Sequence, residues 1–163
     1  MVQSDLLNNF QILMSTSLLN SNNNLFYSRL LGFLNKKGMK SSAKFILDSA
    51  ILLVSKRLKR SRYIILLRLF FKLNTFVESR KLRIKKSTYI VPFAISLKRR
   101  LYLATKWLIL SVNQNTRQIS LIEKLADEML RVLKKDSYSK SKKQKQLNNS
   151  QALANRSNIH FRW

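Results

Sequence analysis

The 163-residue chain carries 32 Lys and Arg against 7 Asp and Glu, a net charge of +25, with 45% hydrophobic residues. That apolar share suits a single domain with a real core and excludes a wholly disordered basic tail. The charge calls for a polyanion, phosphate backbones first and an anionic membrane surface second.

Residues 1–28 hold no Lys or Arg and are rich in Asn, Ser and Leu. They read as a neutral, irregular N-terminal extension, with one short helix around Leu6–Leu13. They look like neither a secretory signal nor an Arg-rich transit peptide. A helix from about Arg29 to Asn35 should end at Lys36-Lys37-Gly38, with Gly38 in the left-handed cap position. Ser41 or Ser42 should cap the next helix, whose Ala43, Ile46, Leu47, Ala50 and Val54 share one face. Arg60 to Leu73 gives a third helix. Its apolar run Tyr63–Phe71 is broken by Arg68 and falls short of the roughly 20 residues needed to span a bilayer.

The period changes between Val77 and Ile95. Tyr89, Val91, Phe93 and Ile95 alternate, which predicts two strands turning near Lys85-Lys86, and Pro92 restricts them to a ribbon with two edges. With few apolar residues on its first arm, such a ribbon should project and be held by a partner. Helical period returns over Leu97–Val112, with Leu101, Ala104, Leu108 and Val112 inward and Trp107 packing near Leu103 and Leu110. Ser120 and Glu123 form a capping box for a helix whose inner face is Ile122, Leu125, Met129, Val132 and Leu133. Glu123, Asp127 and Glu128 read as a solvated, salt-bridged face, with Asp127 and Arg131 paired at i,i+4. Residues 137–146, nearly all Ser, Lys and Gln, should be disordered without a partner. Apolar content returns after Leu147, and Trp163 needs an outside surface to cover it. The fold expected is mainly α: about six helices over residues 29–163, one protruding basic two-stranded β-hairpin at about 77–95, and a basic segment 137–163.

No catalytic inventory is present. One His, two Gly and no Cys leave no room for a triad, a glycine-rich phosphate loop, a disulfide or a thiolate metal site. The chain is expected to be no enzyme and to take no cofactor, metal or small-molecule substrate. The cations instead cluster: Lys36, Lys37 and Lys40; Lys56, Arg57, Lys59, Arg60 and Arg62; Arg80, Lys81, Arg83, Lys85 and Lys86; Lys98, Arg99 and Arg100. Any one cluster is ordinarily a solvated surface, but four and a basic tail point to nucleic acid. Tyr89 could stack on a base or pack on its own sheet.

Four segments resemble the small-subunit ribosomal protein seven family of bacteria and organelles. They are Leu34-Asn-Lys-Lys-Gly-Met-Lys-Ser-Ser-Ala-Lys-Phe-Ile46, Thr88-Tyr-Ile-Val-Pro92, Arg99-Arg-Leu-Tyr-Leu-Ala-Thr-Lys-Trp-Leu108 and the ending Ala154-Asn-Arg-Ser-Asn-Ile-His-Phe-Arg-Trp163. The resemblance implies a helical protein with one hairpin that binds small-subunit rRNA in the head and supports head assembly. Its hairpin would reach toward the exit-site tRNA and the mRNA path, beside neighbouring ribosomal proteins. Carried over, Lys36, Lys37 and Lys40 would hold rRNA phosphates, and Arg80, Arg83, Lys85 and Lys86 would load the hairpin. Arg99, Arg100 and Lys106 would face rRNA, and Asn155, Arg156, His160 and Arg162 would anchor the C-terminus.

The chain departs from the family in three places. Lys85-Lys86 replaces the Gly-Gly turn, where positive φ is costly for lysine. Asn74-Thr75-Phe76 stands where a proline often precedes the hairpin. The stretch before the C-terminal motif is Asn- and Ser-rich, which should weaken its helix. Heavy Lys, Asn and Ile usage suggests an AT-rich genome. With no transit peptide in view, that makes an organelle-encoded protein of a mitochondrial ribosome the expected setting. The competing expectation is a free-standing basic organellar protein on DNA or on membrane surfaces; a membrane binder should show a basic amphipathic helix and no ribbon.

Overall fold

The computed structural model describes residues 25–134 and 138–162. The short helix expected around Leu6–Leu13 and the role of Trp163 lie outside them. Helix α1 is described over residues 25–34, and its Phe26 and Leu30 are fully buried. The helical body therefore begins upstream of Arg29, inside the stretch read as a neutral extension, because these two side chains share one face at i,i+4. The chain then turns through Lys37 (φ 53) and Gly38 (φ 79), both left-handed. Only the second is free of a Cβ penalty.

Helix α2 (Lys40–Leu58) starts at Met39 with no side-chain cap, so Ser41 and Ser42 lie inside its first turn rather than capping it. Its buried face is Ala43, Leu47, Ala50, Ile51 and Val54, with Ile46 only half-buried. Lys59 (φ 50) closes it in the left-handed conformation, its N–H donating to Ser55 O. Helix α3 (Arg62–Leu73) buries Ile65, Leu66, Leu69, Phe70 and Leu73 and leaves Arg68 exposed, as its spacing suggests.

Strands β1 (Val77–Ile84) and β2 (Ser87–Ala94) pair antiparallel from Val77–Ala94 to Ile84–Ser87, around the two-residue turn Lys85-Lys86. Lys85 adopts φ 54, a conformation costing a non-glycine residue about 1 kcal/mol. Pro92 sits opposite Ser79, whose N–H points away from β2 and donates to Asn148. In such a pair the N–H groups face outward, so the missing N–H of Pro92 costs the ladder nothing.

Helix α4 (Leu97–Asn113) buries Leu101, Ala104, Leu108 and Val112. Helix α5 (Leu121–Lys134) opens on Ser120, whose Oγ accepts from the Glu123 N–H at 3.3 Å. Leu125, Met129 and Val132 are buried, and Ile122 and Leu133 are half-buried. These join buried residues of α1–α4 in the main core. Trp107 packs in a smaller cluster with Leu103 and Ile95, while Leu110 is exposed.

The C-terminal part differs most from expectation. Lys140–Ala154 is a helix, α6, followed by a 3-10 turn Arg156–Phe161, although most of 137–146 reads as disordered. The reason is polar. In α6 only Ser141 is buried, so apolar burial does not dock it. Glu128, expected on a solvated face, is instead 5% exposed. Its Oε1 accepts from Ser139 Oγ (2.9 Å), Ser141 N–H (3.1 Å) and Ser141 Oγ (2.7 Å) at the start of α6. A carboxylate there also complements the helix dipole. Asp127 pairs with Arg57 of α2 at 3.0 Å rather than with Arg131.

Lysines then satisfy helix C-terminal carbonyls, which lack partners within their own helices. Lys140 Nζ donates to Gln114 O (2.8 Å), Lys142 Nζ to Arg131 O (3.4 Å), Lys145 Nζ to Lys72 O (2.8 Å), and Lys72 Nζ to Leu133 O. Burial pushes the Lys145 ammonium below its ordinary pKa.

Leu108 is fully buried between these helices. Leu108→Ala should lower unfolding stability by about 3 kcal/mol in urea titration, whereas Lys44→Ala on the exposed side of α2 should change it by less than about 0.5 kcal/mol.

Candidate nucleic-acid interface

The base of the hairpin is fixed to α4 through one acid. Glu78 on β1 accepts from Arg99 Nε (3.0 Å) and Arg99 Nη2 (2.6 Å), and from Arg80 Nε (3.1 Å) and Nη2 (3.0 Å). The Arg99 contact reaches both carboxylate oxygens, the geometry that makes guanidinium–carboxylate pairs directional. Arg99 in particular, then Arg80, hold the Glu78 carboxyl below its ordinary pKa against the opposing effect of burial. Arg100 donates from Nε to Ile95 O at 3.1 Å and lays its guanidinium 4.2 Å from the Phe76 ring centroid. Arg80 lies 5.5 Å from the Phe93 ring. Arg80, Arg99 and Arg100 thus orient the ribbon while staying partly open to solvent.

The ribbon is also held along both edges by its own chain. Asn148 of α6 donates from Nδ2 to Val77 O (2.7 Å) and accepts at Oδ1 from the Ser79 N–H (3.2 Å). Asn158 in the 3-10 turn donates to Ile90 O on the other edge at 3.1 Å. Tyr89 packs on Phe161 with ring centroids 4.7 Å apart. The support expected from a partner therefore comes, for the base and middle of the ribbon, from the C-terminal segment. The two asparagines occupy main-chain groups that an edge strand otherwise leaves to water.

The other expected site residues divide by location. Lys36, Lys37 and Lys40 are exposed together at the α1–α2 junction. Arg83, Lys85 and Lys86 are exposed at the hairpin tip, beyond the Glu78 network. Lys106 is half-buried on α4, 6.0 Å from the Tyr102 ring centroid, and Arg99 lies 4.8 Å from the same ring. In the C-terminal motif Asn155 caps α6, its Nδ2 donating to Gln151 O at 2.8 Å. The ring of His160 lies 4.0 Å from that of Phe161, with Nδ1 2.7 Å from Ser157 O. Arg156, His160 and Arg162 are exposed.

Glu78, Asn148, Asn158 and Tyr102 carried no expectation. A lone acid in the basic strand Val77–Ile84 was the signal available for Glu78; an asparagine in an Asn-rich stretch gives none. Among the described residues no group of three or more His, Cys, Asp or Glu could hold a metal, and no helix is long and apolar enough to cross a membrane.

Because Glu78 has a depressed pKa in the fold, its contribution is present above the unfolded carboxylate value of about 4.3 and is lost as pH falls through the lower folded value. The stability gap between the parent chain and Glu78→Gln should therefore be widest near neutral pH and shrink on acidification. Urea titrations across the acid range check this, and a pH-independent gap contradicts it.

The sequence matches the family described as "Ribosomal protein S7p/S5e" over residues 7–156. It is 32% identical over 130 residues to "Small ribosomal subunit protein uS7" of Mesomycoplasma hyopneumoniae (strain 7448), covering 78% of this chain and 80% of the relative. It is 29% identical over 139 residues to the protein of that name from Geotalea daltonii, covering 83% and 85%. "Small ribosomal subunit protein uS7A" of Aquifex aeolicus is 30% identical over 138 residues, with the same coverage. With a helical body, one basic hairpin and a match across most of its length, the chain belongs to the ribosomal protein S7 family.

Proposed function

We propose that the chain is a structural, non-catalytic constituent of the small ribosomal subunit that binds small-subunit rRNA in the head, supports head assembly and works beside neighbouring ribosomal proteins. The observation that carries this reading is the division of labour along the hairpin. Arg80 and Arg99 are tied to Glu78 at its base, while Arg83, Lys85 and Lys86 stand exposed at the tip of a braced ribbon. A rigid arm with a cationic end is suited to phosphate contact, because little ordering entropy is left to lose on binding.

Within this reading, Lys36, Lys37 and Lys40 hold rRNA phosphates, Arg99, Arg100 and Lys106 of α4 face rRNA, and Asn155, Arg156, His160 and Arg162 anchor the C-terminus. The hairpin tip extends toward the exit-site tRNA and the mRNA path. The Lys-, Asn- and Ile-rich composition supports placement in a mitochondrial ribosome. The basic ribbon counts against a free-standing membrane-surface protein.

The protein should co-sediment with small ribosomal subunits in high-magnesium gradients of organelle lysate, and recovery only in free or membrane fractions overturns the proposal. Replacing Arg83, Lys85 and Lys86 by Ala should weaken rRNA binding and flatten its log–log salt slope by up to about 0.9 per lost phosphate contact. An unchanged slope would show that the tip touches no phosphate.

A further inference from the structure

The middle of α2, residues 45–55, holds no lysine or arginine, and its one charged residue is Asp48. Residues 1–28 hold no lysine or arginine either. The fold joins the two: Tyr27, near the start of the described α1, donates from its hydroxyl to Asp48 Oδ1 at 3.0 Å. The segment that precedes α1 therefore leaves the helical body beside the cation-free part of α2.

The outer side of α2 carries an apolar stripe there. Phe45, Ser49 and Leu52 follow i, i+4, i+7 and so share a face. Among the described residues Phe45 is 67% exposed, and Leu52 is half-buried. Small Ser49 leaves a notch between these two larger side chains. Beside them lies a cleft of about 300 Å³, lined by Asp48, Ser49, Leu52, Leu53 and, from the start of α3, Arg62. With an acid at its centre and its lysines, Lys44 and Lys56, at its ends, this face suits an uncharged apolar occupant better than a phosphate backbone.

The segment upstream of α1 has the matching pattern. Leu6, Phe10 and Leu13 repeat the same i, i+4, i+7 spacing, with a large ring at the centre where α2 has its serine. Each set spans about 10 Å along a helix that rises about 1.5 Å per residue. Residues 14–24 then lead back to Leu25 with a reach of up to about 35 Å, so the connection imposes no constraint. We infer that residues 6–13 pack on the outer face of α2, with Phe10 in the notch at Ser49 between Phe45 and Leu52. The neutral N-terminal stretch is then part of the folded body, a role separate from contact with RNA.

The chain has no cysteine, so introduced thiols report on this face without background. In the full-length chain, adding Phe10→Asp should speed the reaction of Ser49→Cys with N-ethylmaleimide about tenfold or more. Lys44→Cys, exposed on the same helix, should react at one rate with or without Phe10→Asp. A short bismaleimide should also join Phe10→Cys to Ser49→Cys within one chain, but not Phe10→Cys to Lys143→Cys, exposed on α6. If both thiols speed up together, Phe10→Asp has loosened the whole body, and the cross-link decides. A Ser49→Cys rate that Phe10→Asp leaves unchanged, or cross-linking no better to Ser49→Cys than to Lys143→Cys, overturns the inference. So does protection of Ser49→Cys that appears only on adding rRNA or raising the protein concentration, which would assign the face to RNA or to a second copy.

Discussion

In a chain of net charge +25, one buried carboxylate fixes the course of the C-terminal segment. Glu128, on the inner side of α5, accepts three hydrogen bonds from Ser139 and Ser141 at the start of α6. Because α6 buries so little apolar surface, removing those bonds would leave a lysine-rich peptide with little reason to stay helical or docked. From that anchor α6 presents Lys140, Lys142 and Lys145 to the carbonyl ends of α4, α5 and α3, and Asn148 to the edge of β1. The 3-10 turn that follows brings Asn158 and Phe161 to β2. The hairpin pose is thus set from two sides, by Glu78–Arg99 at its base and by the C-terminal segment along its edges.

This arrangement changes the meaning of the positive charge. A net-charge argument treats every lysine and arginine as available to a polyanion. Here Lys72, Lys140, Lys142 and Lys145 serve helix ends, and Arg57, Arg80, Arg99 and Arg100 hold internal acids, a carbonyl or a ring. The cations at the α1–α2 junction and the hairpin tip stand on a frame that the others keep rigid. Basic residues in this fold therefore act both as scaffold and as contact.

Elements built on apolar period were legible in the sequence. The alternation from Tyr89 to Ile95 and the lysine pair at the turn marked the hairpin, and the spacing of Leu101, Ala104, Leu108 and Val112 marked α4, because burial imposes those periods directly. Elements held by polar geometry were not. Glu128 looks like its neighbours Glu123 and Asp127 until tertiary structure puts serines over it, and Asp127 finds Arg57, 70 residues away, rather than Arg131. The lower boundary of the helical body was hidden because Phe26 lies in a stretch whose Asn and Ser content suggested irregular chain. Of the candidate site, the clusters could be read as charge, but not which members fold inward, since that depends on the long-range partners Glu78, Asn148 and Asn158.

Amide hydrogen exchange on Glu128→Ala tests this account most directly. If the carboxylate anchors the C-terminal segment, amides of Lys140–Ala154 and of β1 around Ser79 should lose protection together. The α2, α3 and α4 amides should keep most of theirs. Retention of protection in α6 and β1 would contradict the account, because it would mean that the segment and the hairpin are held without Glu128.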